Sequence, residues 1–243
     1  MKLSKLIVLA LLSPAAIAST KSTVSFTLDN DGIFGVDQDY TNGIFLSYAT
    51  EKLREDAEWN WFTLNDNSQS NVDKIEIVLG HKMYTPSDIE ADYPLVNDRP
   101  YAGYLHTEIN YISLTADKAV RYNFTIGATG ESSLSEKAQE IVHGITGSTD
   151  PQGWEYQIDD EIAFSVGYRA FNKLMRSEGE STQWEITNLN DINAGNFRSD
   201  FSQGVMFRWG TNLANSIGAV NISVESPFPV SYTHLTLPTI PGV

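Results

Sequence analysis

Apolar and polar residues alternate one by one through most of this chain. A period of two places successive side chains on opposite faces of a strand, so the pattern dictates a sheet whose two faces meet different surroundings. Over 24–29, Val24, Phe26 and Leu28 share one face, and Ser25, Thr27 and Asp29 the other. Over 104–114, Leu105, Thr107, Ile109 and Tyr111 oppose His106, Glu108 and Asn110. Over 120–128, Val120, Tyr122, Phe124 and Ile126 oppose Arg121, Asn123 and Thr125. The same holds for 158–170, where Ile162, Phe164, Val166 and Tyr168 oppose Glu161, Ser165 and Arg169, and for 218–225. Strands are also expected over 41–50, 73–84, 182–190 and 203–211, which makes nine in all.

Strands of this length, with aromatic-rich apolar faces, suit an antiparallel transmembrane β-barrel, whose strands need about 9–11 tilted residues. A soluble β-sandwich alternates in the same way, but its strands run nearer 5–6 residues. The N-terminus supports the barrel. Lys2 and Lys5 precede the apolar run 6–12 and then Ala16-Ile17-Ala18, the pattern of a signal peptide over 1–18. No later stretch approaches the roughly 18 apolar residues of a membrane-spanning helix. The chain has no cysteine, so an exported protein of this kind points to a bacterial outer membrane rather than a disulfide-stapled secreted domain. Residues 229–243, ending Leu237-Pro238-Thr239-Ile240-Pro241-Gly242-Val243, read as a non-native tail of the kind produced by sequencing-adapter read-through. The barrel is therefore expected over 19–228, with its last strands missing.

The net charge of −15 leaves nothing to neutralise phosphates and argues against a nucleic-acid partner. At an anionic lipid surface the same charge requires divalent cations as mediators.

Strand order alone gathers the polar clusters at one end. If the first strand runs outward, Asp29-Asn30-Asp31 lies at the outer rim, and the second strand starts there at Thr41. The third ends there at Met83-Tyr84-Thr85-Pro86, and the loop 87–100 follows outside. The fourth runs inward to a tight turn at Ala116-Asp117-Lys118, and the fifth returns outward to Gly130. The segment 52–71, with Trp59 and Trp61, is long for an inner turn and fits no simple role.

Residues 131–147 are the convincing helical segment. Helix formers run from Ser135 to His143, serines stand ready to cap its start, and Gly144 and Gly147 end it. Gln139 and His143 are four apart and share a face. His143 is the best general base, since imidazole titrates near neutrality; a surface or helix-capping histidine is the plainer alternative. His81 and His106, both inside strands, are weaker candidates, as is His234 in the tail. Asp29-Asn30-Asp31 offers the hard oxygen ligands that calcium takes, or simply an acidic turn at a strand end. Asp98-Arg99-Pro100 reads as a structural ion pair anchoring its loop, and Trp154 and Gln157 as loop packing or interfacial side chains. There is no Gly-x-Ser-x-Gly elbow and no cysteine nucleophile, which favours attack by water.

Six motifs in order resemble the outer-membrane lipid A 3′-O-deacylase family (LpxR): Asn30-Asp31-Gly-Ile-Phe34, Asp39-Tyr40-Thr41-Asn42-Gly43, Met83-Tyr84-Thr85-Pro86, Asp98-Arg99-Pro100-Tyr101-Ala102-Gly103, Gln139-x-x-x-His143 and Pro151-Gln-Gly-Trp154-x-x-Gln157. The resemblance runs from Val24 to Gln157 and more loosely to Glu225. It implies a twelve-stranded outer-membrane barrel, about nine of whose strands are present here, with a helix in an extracellular loop. It implies calcium-dependent hydrolysis of the 3′-linked acyloxyacyl ester of lipid A, with lipopolysaccharide as the partner and a monomer as the working unit. His143 would be the catalytic base, Asn30 and Asp31 would serve catalysis and hold the metal, and Thr41 would line the site. Gln139, Ser133 and Arg99 would contact substrate. Two departures stand out. Gly130-Glu131-Ser132-Ser133 replaces a Gly-Pro-x-Ser pattern, and acidic Asp88 and Glu90 stand where a basic residue can follow Tyr-x-Pro. The alternatives are a non-enzymatic barrel, such as a pore, and an outer-membrane phospholipase.

Overall fold

In the computed structural model the described residues are 22–30, 39–54, 62–64, 71–179, 182–210 and 213. They form one eight-stranded antiparallel sheet in sequence order, β1 (Thr23–Asn30), β2 (Asp39–Ala49), β3 (Val72–Thr85), β4 (Ala102–Leu114), β5 (Lys118–Thr129), β6 (Ile162–Arg176), β7 (Gln183–Gly195) and β8 (Asp200–Gly210). Every neighbouring pair is antiparallel, and the strands run from 8 to 15 residues. The expected signal peptide, the strand over 218–225 and the tail over 229–243 all lie outside the described residues. The sixth strand starts at Ile162 rather than 158. The residues before it are held elsewhere: Ile158 N–H donates to the Tyr101 carbonyl at 3.0 Å, and a short 3₁₀ turn covers Trp154–Tyr156.

The sheet is inside-out by the standards of a water-soluble protein. Its buried face is polar: Glu76, Glu108, Asn110, Arg121, Asn123, Thr125, Ser165 and Glu185 are all buried. Its exposed face is apolar: Val24, Phe26, Leu79, Ile109, Phe164, Val205, Phe207 and Trp209 are between 48% and 74% exposed. A polar concave side and a continuous apolar convex side are what a lipid-embedded barrel wall requires. The concave residues also show how the sheet curls. Ile112, Leu114, Ala119 and Phe171 form one apolar cluster, against which pack Val72 from β3 and Met206 from β8. Toward the other end, Tyr104 of β4 stacks on His106 at 4.4 Å and on Phe197 from the β7–β8 turn at 4.1 Å. Between these layers Arg121 lies 3.8 Å from Glu108 and Arg169 pairs with Asp191 at 2.6 Å; beyond the apolar cluster, toward the tight turn, Arg176 and Arg208 both hold Glu185 at 2.5 Å. Among the described residues the concave side is thus packed with side chains.

All the motif-bearing strand ends fall at one end, as strand order implies: Asn30, Asp39, Thr85, Ala102, Thr129 and Ile162 terminate or begin their strands there. The opposite end carries the tight turn after Leu114, where the Thr115 N–H donates to the Lys118 carbonyl at 2.8 Å. Part of the segment 52–71 is accounted for. Phe62 packs on Tyr111 and Tyr122 at 5.7 and 5.0 Å, Thr63 Oγ1 lies 2.8 Å from the Tyr111 hydroxyl, and the Leu64 N–H donates to Ser113 Oγ at 3.0 Å. These partners lie on the convex face, so 62–64 folds back over the outside of the wall.

Candidate active site

The cross-strand register draws two rows across the convex face at the motif-bearing end. The lower row is Leu28, Ile44, His81, Leu105, Ala128 and Ile162. It is apolar apart from His81 and closes the exposed apolar band. Two residues further along the strands, the upper row places Asn30, Asn42, Met83 and Gly103 side by side. Thr41 sits at a β-bulge between the pairs Tyr40/Tyr84 and Asn42/Met83. A bulge re-aims one side chain out of the regular alternation. Thr41 is buried, and its Oγ1 lies 2.6 Å from Thr85 Oγ1.

Over the upper row lies α1 (Ser135–Thr146). Its buried residues are Ser135, Gln139 and His143, at i, i+4 and i+8, so one stripe faces the barrel wall and that stripe is wholly polar. Each member is held. Ser135 Oγ lies 2.8 Å from His81 Nε2, which is also 3.1 Å from the Ser133 carbonyl oxygen. Gln139 Oε1 accepts a 2.9 Å hydrogen bond from the Trp154 indole N–H. Trp154, itself 2% exposed, packs against Tyr101 with the ring centroids 4.5 Å apart and the planes tilted by 35°, and forms a small apolar cluster with Met83 and Tyr101, against which Ala138 packs. His143 Nδ1 lies 2.5 Å from the Thr149 carbonyl oxygen. A carbonyl only accepts, so Nδ1 carries the proton and the basic lone pair of the neutral ring belongs to Nε2.

The expected serine cap is not formed. Leu134 occupies the N-cap position in the left-handed region, at φ 60°, and no side chain caps the helix. The reason is the preceding 3₁₀ turn, Gly130–Ser133, which aims the serines at the wall. Ser133 Oγ donates to the Gly130 carbonyl at 2.6 Å and lies 2.9 Å from Ser135 Oγ. Ser133, expected to touch substrate, is therefore fully buried and serves the helix start. Ser135 beside His81 has the look of a nucleophile–base pair, but Ser135 is 1% exposed, packed between the helix and Gly103 of the wall. At the other end Gly147, at φ 72°, closes the helix as expected, its N–H on the His143 carbonyl at 2.8 Å, while Gly144 stays within the helix.

Arg99, expected to contact substrate, lies in the loop between β3 and β4. Its guanidinium sits over the Tyr84 ring at 4.7 Å, and it lines a cavity of about 220 Å³ with Tyr93, Leu95, Asp98, Tyr101 and Tyr156. Asp98 anchors the loop through Ser87 rather than by pairing with Arg99. It accepts from Ser87 N–H at 2.8 Å, from Ser87 Oγ at 2.6 Å and from Arg99 N–H at 2.8 Å. The Ser87 hydroxyl and amide hold its carboxyl below the usual carboxylate range.

For calcium, the donor chemistry near the bulge is all oxygen, with the hydroxyls of Thr41 and Thr85 together, which suits a hard cation. Among the described residues no three His, Asp or Glu side chains are grouped to hold a metal. The carboxylate such a site needs would come from Asp31, which lies outside the described residues; Asn30 is described only as the last residue of β1. Sequence reasoning ranked His81 low and had no signal for its role, because its contacts lie 52 and 54 residues away.

Comparisons with known proteins bear on the fold and the family. The profile of the family described as outer membrane protein LpxR matches residues 5–234. No curated protein matches the chain. Among solved structures, LpxR from Salmonella typhimurium superposes with a TM-score of 0.64 at 19% identity, covering 79% of this chain. The chain spans 64% of the length of that protein. An antiparallel barrel wall with a helix laid over its end, matched over nearly the whole sequence, places this chain in the family of the outer membrane protein LpxR.

Proposed function

We propose that this protein hydrolyses the ester of the 3′-linked acyloxyacyl group of lipid A in the outer leaflet of the outer membrane, with calcium as its cofactor. The observation that carries the reading is the polar stripe Ser135–Gln139–His143, which turns a histidine onto the convex, lipid-side face of the wall. The dimensions agree. From Ser135 to His143 a helix advances about 12 Å, and three strand spacings from Gly103 to Asn30 measure roughly 14 Å. A helix crossing that row from its Ser135 end brings His143 toward Asn30 and Thr41.

In this mechanism His143 Nε2 takes a proton from a water molecule as the water oxygen bonds to the ester carbonyl carbon. The tetrahedral species then collapses by breaking the bond to the sugar 3-oxygen. That oxygen takes the proton back from His143 and leaves as the hydroxyl, and the acyl group departs as a carboxylic acid. The Thr149 carbonyl fixes the ring tautomer throughout, and Trp154 and Gln139 fix the helix that carries it. Asn30 and Asp31 are the residues that would hold calcium, whose chemistry there is to polarise the ester carbonyl and offset the lipid A phosphates.

A pore is disfavoured by the filled concave side, where Arg121 and Lys74 are each 1% exposed. The test is mass spectrometry of lipid A from a Gram-negative host making the full gene product, in calcium and in chelator. Loss of the 3′ acyloxyacyl mass in calcium alone supports the reading. An unchanged acyl pattern in calcium sinks it, and release of phospholipid fatty acids instead reassigns the site to a phospholipase.

A further inference from the structure

The outer side of α1 is as unusual as its inner stripe. Leu134, Ala138, Ile141, Val142 and Ile145 recur at i, i+4, i+7, i+8 and i+11, the spacing of an apolar helix face. That face is not turned to the protein core. Only Ala138 packs on the wall, while Leu134 is 51%, Ile141 63%, Val142 39% and Ile145 81% exposed. The charged residues Glu136, Lys137 and Glu140 fall on the other flank. The helix therefore has three faces: a polar one on the wall, a charged one and a bare apolar one.

Its position says what covers the bare face. Ser135 is fastened to His81, and His81 belongs to the last row of the exposed apolar band, between Ile44 and Leu105. The next outward-facing residue on β3 is Leu79, 50% exposed. A helix docked on the outside of the wall at that row has its free side level with the apolar edge of the bilayer. An amphipathic helix lying in an interface buries its apolar face at the headgroup–acyl boundary, and a patch of aliphatic side chains left in water is otherwise rare.

We infer that the exposed apolar face of α1, formed by Leu134, Ile141, Val142 and Ile145, inserts between the lipid acyl chains of the outer leaflet. The helix is then a membrane-seated wall of the cleft, and a lipid ester enters from the side, beneath His143, without leaving the leaflet. This rests on the barrel fold and not on the ester chemistry, so either can fail while the other stands.

The chain lacks cysteine, so one introduced thiol can carry an environment-sensitive fluorophore. Ile145→Cys, Glu140→Cys and Leu79→Cys are each labelled and placed in vesicles of phospholipid and lipopolysaccharide, with Ile141→Cys as a second helix position. Brominated acyl chains should quench the Ile145 and Ile141 probes about as strongly as the Leu79 probe on the wall. Aqueous iodide should quench them several-fold less than the Glu140 probe. An Ile145 probe as open to iodide as Glu140, while Leu79 is quenched from the lipid, overturns the inference. So does protection from both quenchers, which would mean that protein covers the helix.

Discussion

At the residue scale, the cleft depends on atoms that approach without room to spare. A Cβ at Gly103 would stand 1.9 Å from Ser133 Oγ and 2.1 Å from Ser135 Oγ. Gly103→Ala should therefore lift the start of α1 from the wall. Ester hydrolysis should fall at least tenfold while the folded barrel keeps its heat-modifiable mobility on gels; full activity would mean that the helix seat is not needed. Trp154→Phe keeps an aromatic ring against Tyr101 but removes the indole N–H that donates to Gln139 Oε1, a cost of about 0.5–1.5 kcal/mol. Proteolysis of the 130–157 segment should speed up accordingly, with the sheet unaffected. Asp98 gives a pH dependence with a definite sign. Its carboxyl is depressed, so the anchoring of its loop is complete above the ordinary value near 3.9 and is lost only as pH falls through the lower folded value. Exchange protection of the Ser87 amide should thus persist at pH 5 and fade only in stronger acid. Much of this scale was legible beforehand: the four-residue spacing of Gln139 and His143 does put both on the wall. The roles of His81, Ser133 and Ser135 were not, because a contact spanning more than fifty residues leaves no periodic trace.

At the element scale, strand register does more than strand identity. The alternation named the correct faces in β1, β4, β5 and β6, because lipid and interior impose opposite polarity on a single strand. Ends were read less well, as at β6, where main-chain bonds to Tyr101 and Thr129 hold 158–161 as a loop, and Asp160 breaks the apolar parity of Ile158 and Ile162. The bulge at Thr41 was also invisible, since it adds a residue without changing composition. Away from the cleft, Glu185 holds Arg176 and Arg208 together on the concave side. Glu185→Ala removes the carboxylate that Arg176 and Arg208 share, while Arg176 keeps Asp117 at 3.7 Å, and should cost about 1.5–3 kcal/mol. The temperature at which the barrel loses its compact gel mobility should drop by several degrees, while Glu185→Gln should recover part of the loss.

At the scale of the whole molecule, the same inversion sets where the chain can sit. A chain with an apolar outside and a charged, packed inside is committed to a membrane. The helix obeys the same logic, polar toward the wall and bare of partners on its aliphatic side. The acidity that looked awkward for a lipid surface is partly concave, in Glu108, Glu185 and Asp191, where it is matched by arginines rather than by solvent. What fixes the account is His143, the one titratable side chain on the buried stripe of α1. The most direct measurement is the mass spectrum of lipid A from outer membranes carrying either the wild-type protein or His143→Ala at equal, heat-modifiable abundance, in calcium. The wild type should remove the 3′ acyloxyacyl mass and His143→Ala should leave it in place. Equal loss of that mass with both proteins would contradict the assignment of the base and of the cleft built around it.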